Sequence, residues 1–425
     1  MKKQVYVTCG APDSHYPGYS NRQIQAAIDY AAFLGGGIVQ LSDGIYHLAD
    51  SIHIKTGVAL CGNGSHTVLI KDAMVESPSI HIIGFGHCEI MVQYPERFEP
   101  GMGVYITDKQ CYGGFLATQS TITAIEDNTL YLKDPLFCDV NVNRNGLVRT
   151  LYPLIKGSFQ KNFSIQNIVL DGNSENNGII DGCRGGGVFL IGCSNAEIKD
   201  IECTNYNLDG ISYQQCYNIT IDNCNIHHNR GSGIHPGSGS IKSSITNCHV
   251  HHNGTDGIYY CLRAQYILLK DCLIEDNGRT GISVGHHDDY TDILYNTVRN
   301  NGGEGLLYRS YNIPFSSGKF ATIAFNHFEN NATSTEQPYP ADIHLKESAE
   351  SVRIHDNVVY NTAKIPMLID KKCKDTIIYR NNFTPQTAEE NAPDWYSDQE
   401  PDQERYLNAF PITEATLQHL KHICR

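Results

Sequence analysis

Hydrophobic and polar positions along this chain fall into a repeating frame. From Gly187 onward a glycine followed by an aliphatic residue recurs at Gly187-Val188, Gly210-Ile211, Gly233-Ile234, Gly257-Ile258, Gly281-Ile282 and Gly305-Leu306, at intervals of 23, 23, 24, 24 and 24 residues. A second phrase keeps the same step: Ile219-Thr220-Ile221 leads to Cys224 and Asn229, Ile245 to Cys248 and Asn253, and Ile267-Leu268-Leu269 to Cys272 and Asn277. Short β-branched runs broken by Asn and Gly, without long helical periodicity, predict a single-stranded parallel β-helix with one coil per repeat. Residues at equivalent positions of successive coils then stack about 4.8 Å apart.

The opening of the chain reads as an end cap. Ser20-Asn21 starts a helix carried by Ile24, Ala27, Ile28 and Ala31, and Gly35-Gly36-Gly37 stops it. Ile38–Leu41, Gly44–Tyr46, Ile52–Ile54 and Val58–Gly64 follow as short strands. A helix laid over the open end of a coil prevents strand addition there. The motifs Ala27-Ile28-Asp29, the triple glycine, Gly44-Ile45-Tyr46 and Leu60-Cys61-Gly62-Asn63-Gly64, with the repeats behind them, resemble the pectin-lyase-like superfamily. The resemblance covers roughly residues 20–380 and implies an all-β, right-handed parallel β-helix solenoid. That superfamily includes polysaccharide lyases, glycoside hydrolases, uronan epimerases and phage tailspikes, so it specifies fold more closely than chemistry.

Four segments follow from these patterns: the cap and first coils at 1–84, an insertion at 85–160, the main coils at 161–383, and an acidic tail with a capping helix at 384–425. The insertion is expected because Gly103–Asp108, Thr121–Ile125 and Thr129–Leu132, with Asp127-Asn128 between the last two, read as antiparallel strands. Irregular stretches at 311–320 and 331–341 read as loops, and 412–423 as a final helix.

Composition narrows the partners. A net charge of −14 argues against nucleic acid and anionic membrane, which need a basic face. No apolar run reaches the roughly 18 residues of a membrane span, and the polar start predicts a soluble, cytoplasmic chain without an export signal. Cys224, Cys248 and Cys272 share one repeat position and read as a row of reduced, buried thiols. His227-His228 and His251-His252 read as structural ladder positions, as do Asn229, Asn253, Asn277 and Asn301. No nucleotide-binding or serine-hydrolase motif occurs, and neither a cofactor nor a metal is implied.

The candidate chemistry lies on one column. With the aliphatic residue of each pair turned inward, the positions one and three further along point outward, and the residue before each glycine stands at the corner. Asp209 and Asp256 occupy that corner two coils apart, with His235 on the coil between, and Asn207-Leu208-Asp209-Gly210 resembles the Asn-Thr-Asp-Gly motif of polygalacturonase-type glycoside hydrolases. Two carboxyls about 9–10 Å apart suit an inverting glycoside hydrolase, whose pair admits a water. His286, in Gly285-His286-His287-Asp288-Asp289, joins Asp209, Asp256 and His235 as catalytic. Arg184, Gln214, Tyr259, His287, Asp288 and Arg309 are assigned to substrate, an oligo- or polysaccharide, with a homo-oligomer compatible. Alternatives are a lyase or uronan epimerase using a His base with Arg309, and a non-catalytic glycan-binding β-helix.

Overall fold

The computed structural model describes residues 5–110, 116–180, 184–309, 316–334, 341–346, 348–360 and 365–384. The expected tail beyond 384, its helix at 412–423 and part of the two loops at 311–320 and 331–341 lie outside them. Each regular coil contributes three short strands, as in Ile211–Gln214, Tyr217–Asp222 and Asn225–His227. Each strand pairs in parallel with its counterparts on the coils before and after. The first strand of each coil builds a ten-stranded parallel sheet that runs from Ile52–His53 to Ile365–Ile369.

Alternation along these strands sorts the side chains as the repeat predicts. Val188, Ile211, Ile234, Ile258, Ile282 and Leu306 stack in the solenoid core, and Leu190, Tyr213, Tyr260, Val284 and Tyr308 stack beside them. Corner polar groups are satisfied by ladders. The peptide N–H of Asn229, Asn253 and Asn277 donates to the side-chain oxygen of the next rung at 3.2, 3.1 and 3.1 Å, and each side-chain amide donates to that same oxygen. Cys224, Cys248 and Cys272 form a second buried row of free thiols, which Asn296 continues by accepting from the Cys272 N–H at 3.0 Å. The histidine pairs stack likewise, His227 on His251 and His228 on His252. His235-Pro236-Gly237 does not interrupt its coil, since Ile234–Pro236 is a strand in register with Ile211–Tyr213.

The helix Asn21–Phe33 closes the N-terminal end; Ser20 caps it, and Ile24, Ala27, Ile28 and Ala31 are its buried face. No helix among the described residues is long and apolar enough to cross a membrane. The insertion is a six-stranded antiparallel sheet that includes Glu76–Pro78, Gly103–Thr107, Thr118–Glu126, Thr129–Leu132 and Leu147–Arg149. Its strands thus begin before residue 85, and Ile155–Ser158 is already solenoid, paired with Ile52–His53 and Val188–Ile191. Ile90, Ile106, Ile122, Leu130 and Val148 form its own core, while Tyr105, on the other face of its strand, packs into the solenoid core.

Candidate functional site

The outward positions of the ten-stranded sheet align in register: Lys156, Phe189, Ser212 and His235, then Tyr259, Ser283, Leu307 and His344. His235 meets Tyr259 edge to face, ring centres 5.0 Å apart. The column is therefore real, but it is not an open groove. Asp209, His235, Gln214, Asp256 and Asp288 are 6%, 5%, 5%, 1% and 0% exposed, so five of the ten expected site residues lie covered. Tyr259, His286, His287, Arg309 and Arg184 keep partial access to solvent.

Covered residues have covered partners. Asp209 accepts from His235 Nδ1 at 2.7 Å and from the Ser232 peptide N–H at 2.7 Å. Burial works against a charged His235 ring, but the charge and hydrogen bond of Asp209, with help from the Cys261 thiol, push its pKa up to about 10. Its Nε2 is sealed from solvent, and the Cys261 thiol favours the charged ring through hydrogen bonding and charge. Asp256 accepts from the Thr280 N–H at 3.1 Å, and burial raises its pKa against the opposing charges of Arg279 and Arg309. Both aspartates thus bind corner backbone of the next coil, as turn aspartates do.

Two further expectations are corrected by the same logic. The Gln214 amide occupies the space that a side chain at Gly237 would fill, which turns it onto its own sheet rather than toward a ligand. Asp288 accepts from the N–H groups of Ala264 and Gly285 at 2.8 and 2.7 Å, and burial lifts its pKa to about 6. It is a corner brace, which separates it from its neighbours His286 and His287. Arg184 lies with its guanidinium 5.9 Å from the Phe137 ring and its carbonyl bonded to Gln119, so it faces the insertion and not Arg309.

The reachable part of the column is the cluster Tyr259, Arg309 and His286. The Arg309 guanidinium lies 4.1 Å from the Tyr259 ring centre, donates to Ser283 Oγ and to the Tyr260 carbonyl, and stands 4.0 Å from Asp288. Gly285 makes room for it, since any side chain there would collide with the guanidinium. Partial burial, His287, Arg263 and Arg309 together lower the pKa of His286, which keeps this imidazole neutral at neutral pH. Arg263 carries no repeat signature, because it sits just past the strand in a corner loop.

A second polar group escaped the repeat altogether: Asp50, His53, Gln119, Thr121, Asp134 and Lys156 line a cleft where the insertion meets the first coils. At the other end His344 bridges Glu304 and Asp370, each at 3.4 Å. Among the described residues no three His, Cys, Asp or Glu side chains are placed to hold a metal ion.

The family described as "Right handed beta helix region" matches residues 166–320. No curated protein matches the sequence. Among solved structures, the A-module of mannuronan C-5 epimerase AlgE6 from Azotobacter vinelandii is 15% identical with a TM-score of 0.55, over 86% of this chain and 90% of that one. A glycoside hydrolase is 9% identical with a TM-score of 0.51, over 90% and 97%. PfbA, a surface adhesin of Streptococcus pneumoniae, is 12% identical with a TM-score of 0.51, over 85% and 87%. At these identities the likeness is one of fold. The chain folds as a right-handed parallel β-helix, the fold of the pectin-lyase-like superfamily.

Proposed function

We propose that this protein acts on an acidic polysaccharide, as a lyase or epimerase, at the cluster of His286, Arg309 and Tyr259. The observation that carries the reading is a partly exposed imidazole within the field of an anchored guanidinium, which with partial burial holds its pKa below the ordinary histidine value. His286 accepts the proton from the carbon next to the uronate carboxylate. The C–H electron pair moves into the carboxylate as an enolate, whose extra charge Arg309 and Arg263 offset. Loss of the neighbouring glycosidic oxygen, which takes up the proton held by the His286 imidazolium, then gives an unsaturated uronate and restores the neutral base, whereas a proton delivered by water from the opposite face gives the epimer. Tyr259 supplies an aromatic wall and fixes Arg309. A mannuronan C-5 epimerase shares this fold, which is consistent with the reading.

The test is incubation with alginate and pectate in deuterated water. Ultraviolet absorbance of an unsaturated product, or deuterium at the carbon next to the carboxylate, supports proton abstraction. His286→Ala should lower the rate by about a hundredfold or more while the fold is kept. The wild-type rate should fall on acidification, because the base works only when neutral and its pKa lies below the ordinary histidine value. Full activity of His286→Ala would sink the assignment.

A glycoside hydrolase using Asp209 and Asp256 is the second reading. It is favoured by the raised pKa of Asp256, which suits a proton donor, and by a glycoside hydrolase of the same fold. It predicts new reducing ends without unsaturation or deuterium, and needs both carboxyls uncovered by substrate. Binding without product of any kind would leave a glycan-binding protein.

A further inference from the structure

Histidine is concentrated on one patch of the solenoid. The third strand of two successive coils, Asn225–His227 and His249–His251, ends at a corner whose next residue, His228 or His252, is left-handed with φ of 54° and 52°. An extended chain sends adjacent side chains to opposite sides, whereas this corner brings them together. The rings of His227 and His228 meet edge to face, centres 5.0 Å apart, with their Nδ1 atoms 2.7 Å apart; His251 and His252 repeat the arrangement at 5.1 and 2.8 Å. The two rungs stack, His227 on His251 at 4.8 Å and His228 on His252 at 5.1 Å. The corner does not itself require histidine, since Asn205, Asp276, Asn300 and Asn330 hold the same left-handed place on other coils.

Hydrogen bonding decides which nitrogens are bare. His227 Nε2 stands 3.1 Å from the Glu202 carboxylate, which only accepts, and His251 Nε2 stands 3.1 Å from Asn225 Oδ1. Each Nε2 therefore carries the ring proton, and each Nδ1 keeps a lone pair. The Thr204 hydroxyl, 3.2 Å from His227 Nδ1, fits the same assignment. An imidazole whose far N–H is held by a carboxylate or carbonyl oxygen is oriented and made more basic as a metal ligand. His228 and His252 are exposed, so each can trade its Nδ1 proton for one on Nε2 through water and then present a second lone pair. That exchange neither gains nor loses a proton overall.

Spacing selects the ion. Two imidazole nitrogens bonded to one cation at about 2.0–2.1 Å lie roughly 2.9 Å apart if the bonds meet at a right angle and roughly 3.4 Å apart if they are tetrahedral. The separations of 2.7 and 2.8 Å fit the right angle, which Cu²⁺ and Ni²⁺ prefer. We propose that His227-His228 and His251-His252 are two chelating sites for a tetragonal divalent cation, Cu²⁺ or Ni²⁺, with water in the remaining positions. They lie on the 22-stranded sheet, apart from the ten-stranded sheet of the His286 cluster. One ion does not serve both rungs, because stacked rings 4.8 and 5.1 Å apart exceed the roughly 4.2 Å that two such bonds span. Two divalent charges one coil apart repel, so the second ion binds more weakly than the first. The net charge of −14 favours both.

The experiment is titration of the untagged full chain with Cu²⁺ and with Ni²⁺ in the presence of competing glycine, followed by calorimetry and, for Cu²⁺, by electron paramagnetic resonance. The double variant His228→Asn, His252→Asn is the reference, because asparagine already holds this corner on other coils and both side chains are exposed. Its circular dichroism and melting should match the wild type. The wild type should bind two more ions per chain than this variant, Cu²⁺ more tightly than Ni²⁺ or Zn²⁺, without competition from Ca²⁺ or Mg²⁺. His228→Asn alone should weaken one of the two sites about a hundredfold, and Glu202→Ala should weaken the same site about tenfold. The Cu²⁺ spectrum should show imidazole nitrogen coupling, with broadening at full loading from a second ion about 5 Å away. Equal stoichiometry and affinity in the wild type and the double variant, or tighter binding of Zn²⁺ than of Cu²⁺, overturns the proposal. A single extra ion in the wild type overturns the assignment of one ion to each rung.

Discussion

His235 is held in its charged form chiefly by Asp209, with a smaller contribution from Cys261. Burial alone favours the neutral ring, and the Asp209 carboxylate at 2.7 Å reverses that preference. Its folded pKa of about 10 stands above the unfolded value of about 6.5. The stabilisation it contributes is therefore fully present below about 6.5 and is lost as pH rises through about 10. Asp209→Asn should leave burial as the dominant influence and make the ring neutral at neutral pH, read from imidazole nitrogen shifts in an NMR titration. Because one partner of a buried pair is removed, the variant should also lose about 3–5 kcal/mol of stability. A ring that stays charged in Asp209→Asn would show that Asp209 is not its source of charge. That outcome would also strengthen the hydrolase reading, since Asp209 would then be free of the pairing with His235.

The asparagine ladders bear the same kind of accounting at the scale of the coil. Asn277 accepts twice from Asn253, donates twice to Asn301, and caps the carbonyls of Val250 and Glu275. Asn277→Leu strands several of these buried groups, each worth about 1–3 kcal/mol. The expected loss is about 3–5 kcal/mol overall, measured as a lower urea midpoint at unchanged slope. Such ladders were legible because the period fixes which residues stack, and so were the capping helix and the antiparallel insertion. Exposure was not legible. Alternation assigns a side chain to one side of a strand, but what lies over that side depends on residues a coil or more away. Asp209 is claimed by His235, Gln214 folds over Gly237, and Asp288 turns into its own corner. The cleft at Asp50 was hidden for a related reason. Ile52–His53 and Ile155–Lys156 carry no glycine-aliphatic pair, and they meet only because the insertion leaves and rejoins the solenoid between them.

At the scale of the molecule the described residues form two hydrophobic cores rather than one. The solenoid core runs from coil to coil, and the insertion core, with Ile90, Ile106, Ile122, Leu130 and Val148, touches it through strands whose other face carries Tyr105. Stacked coils derive stability from their neighbours, whereas the insertion must hold itself. Leu130 is fully buried in that second core. Leu130→Ala should cost about 2–5 kcal/mol, and the cost should stay local. In hydrogen exchange, protection should fall across residues 89–132 and persist in the strands from Val188 to Tyr308. Turnover at the His286 cluster, framed entirely by solenoid coils, should be retained. Uniform loss of protection along the coils would mean that the two cores unfold as one, and that the insertion braces the solenoid.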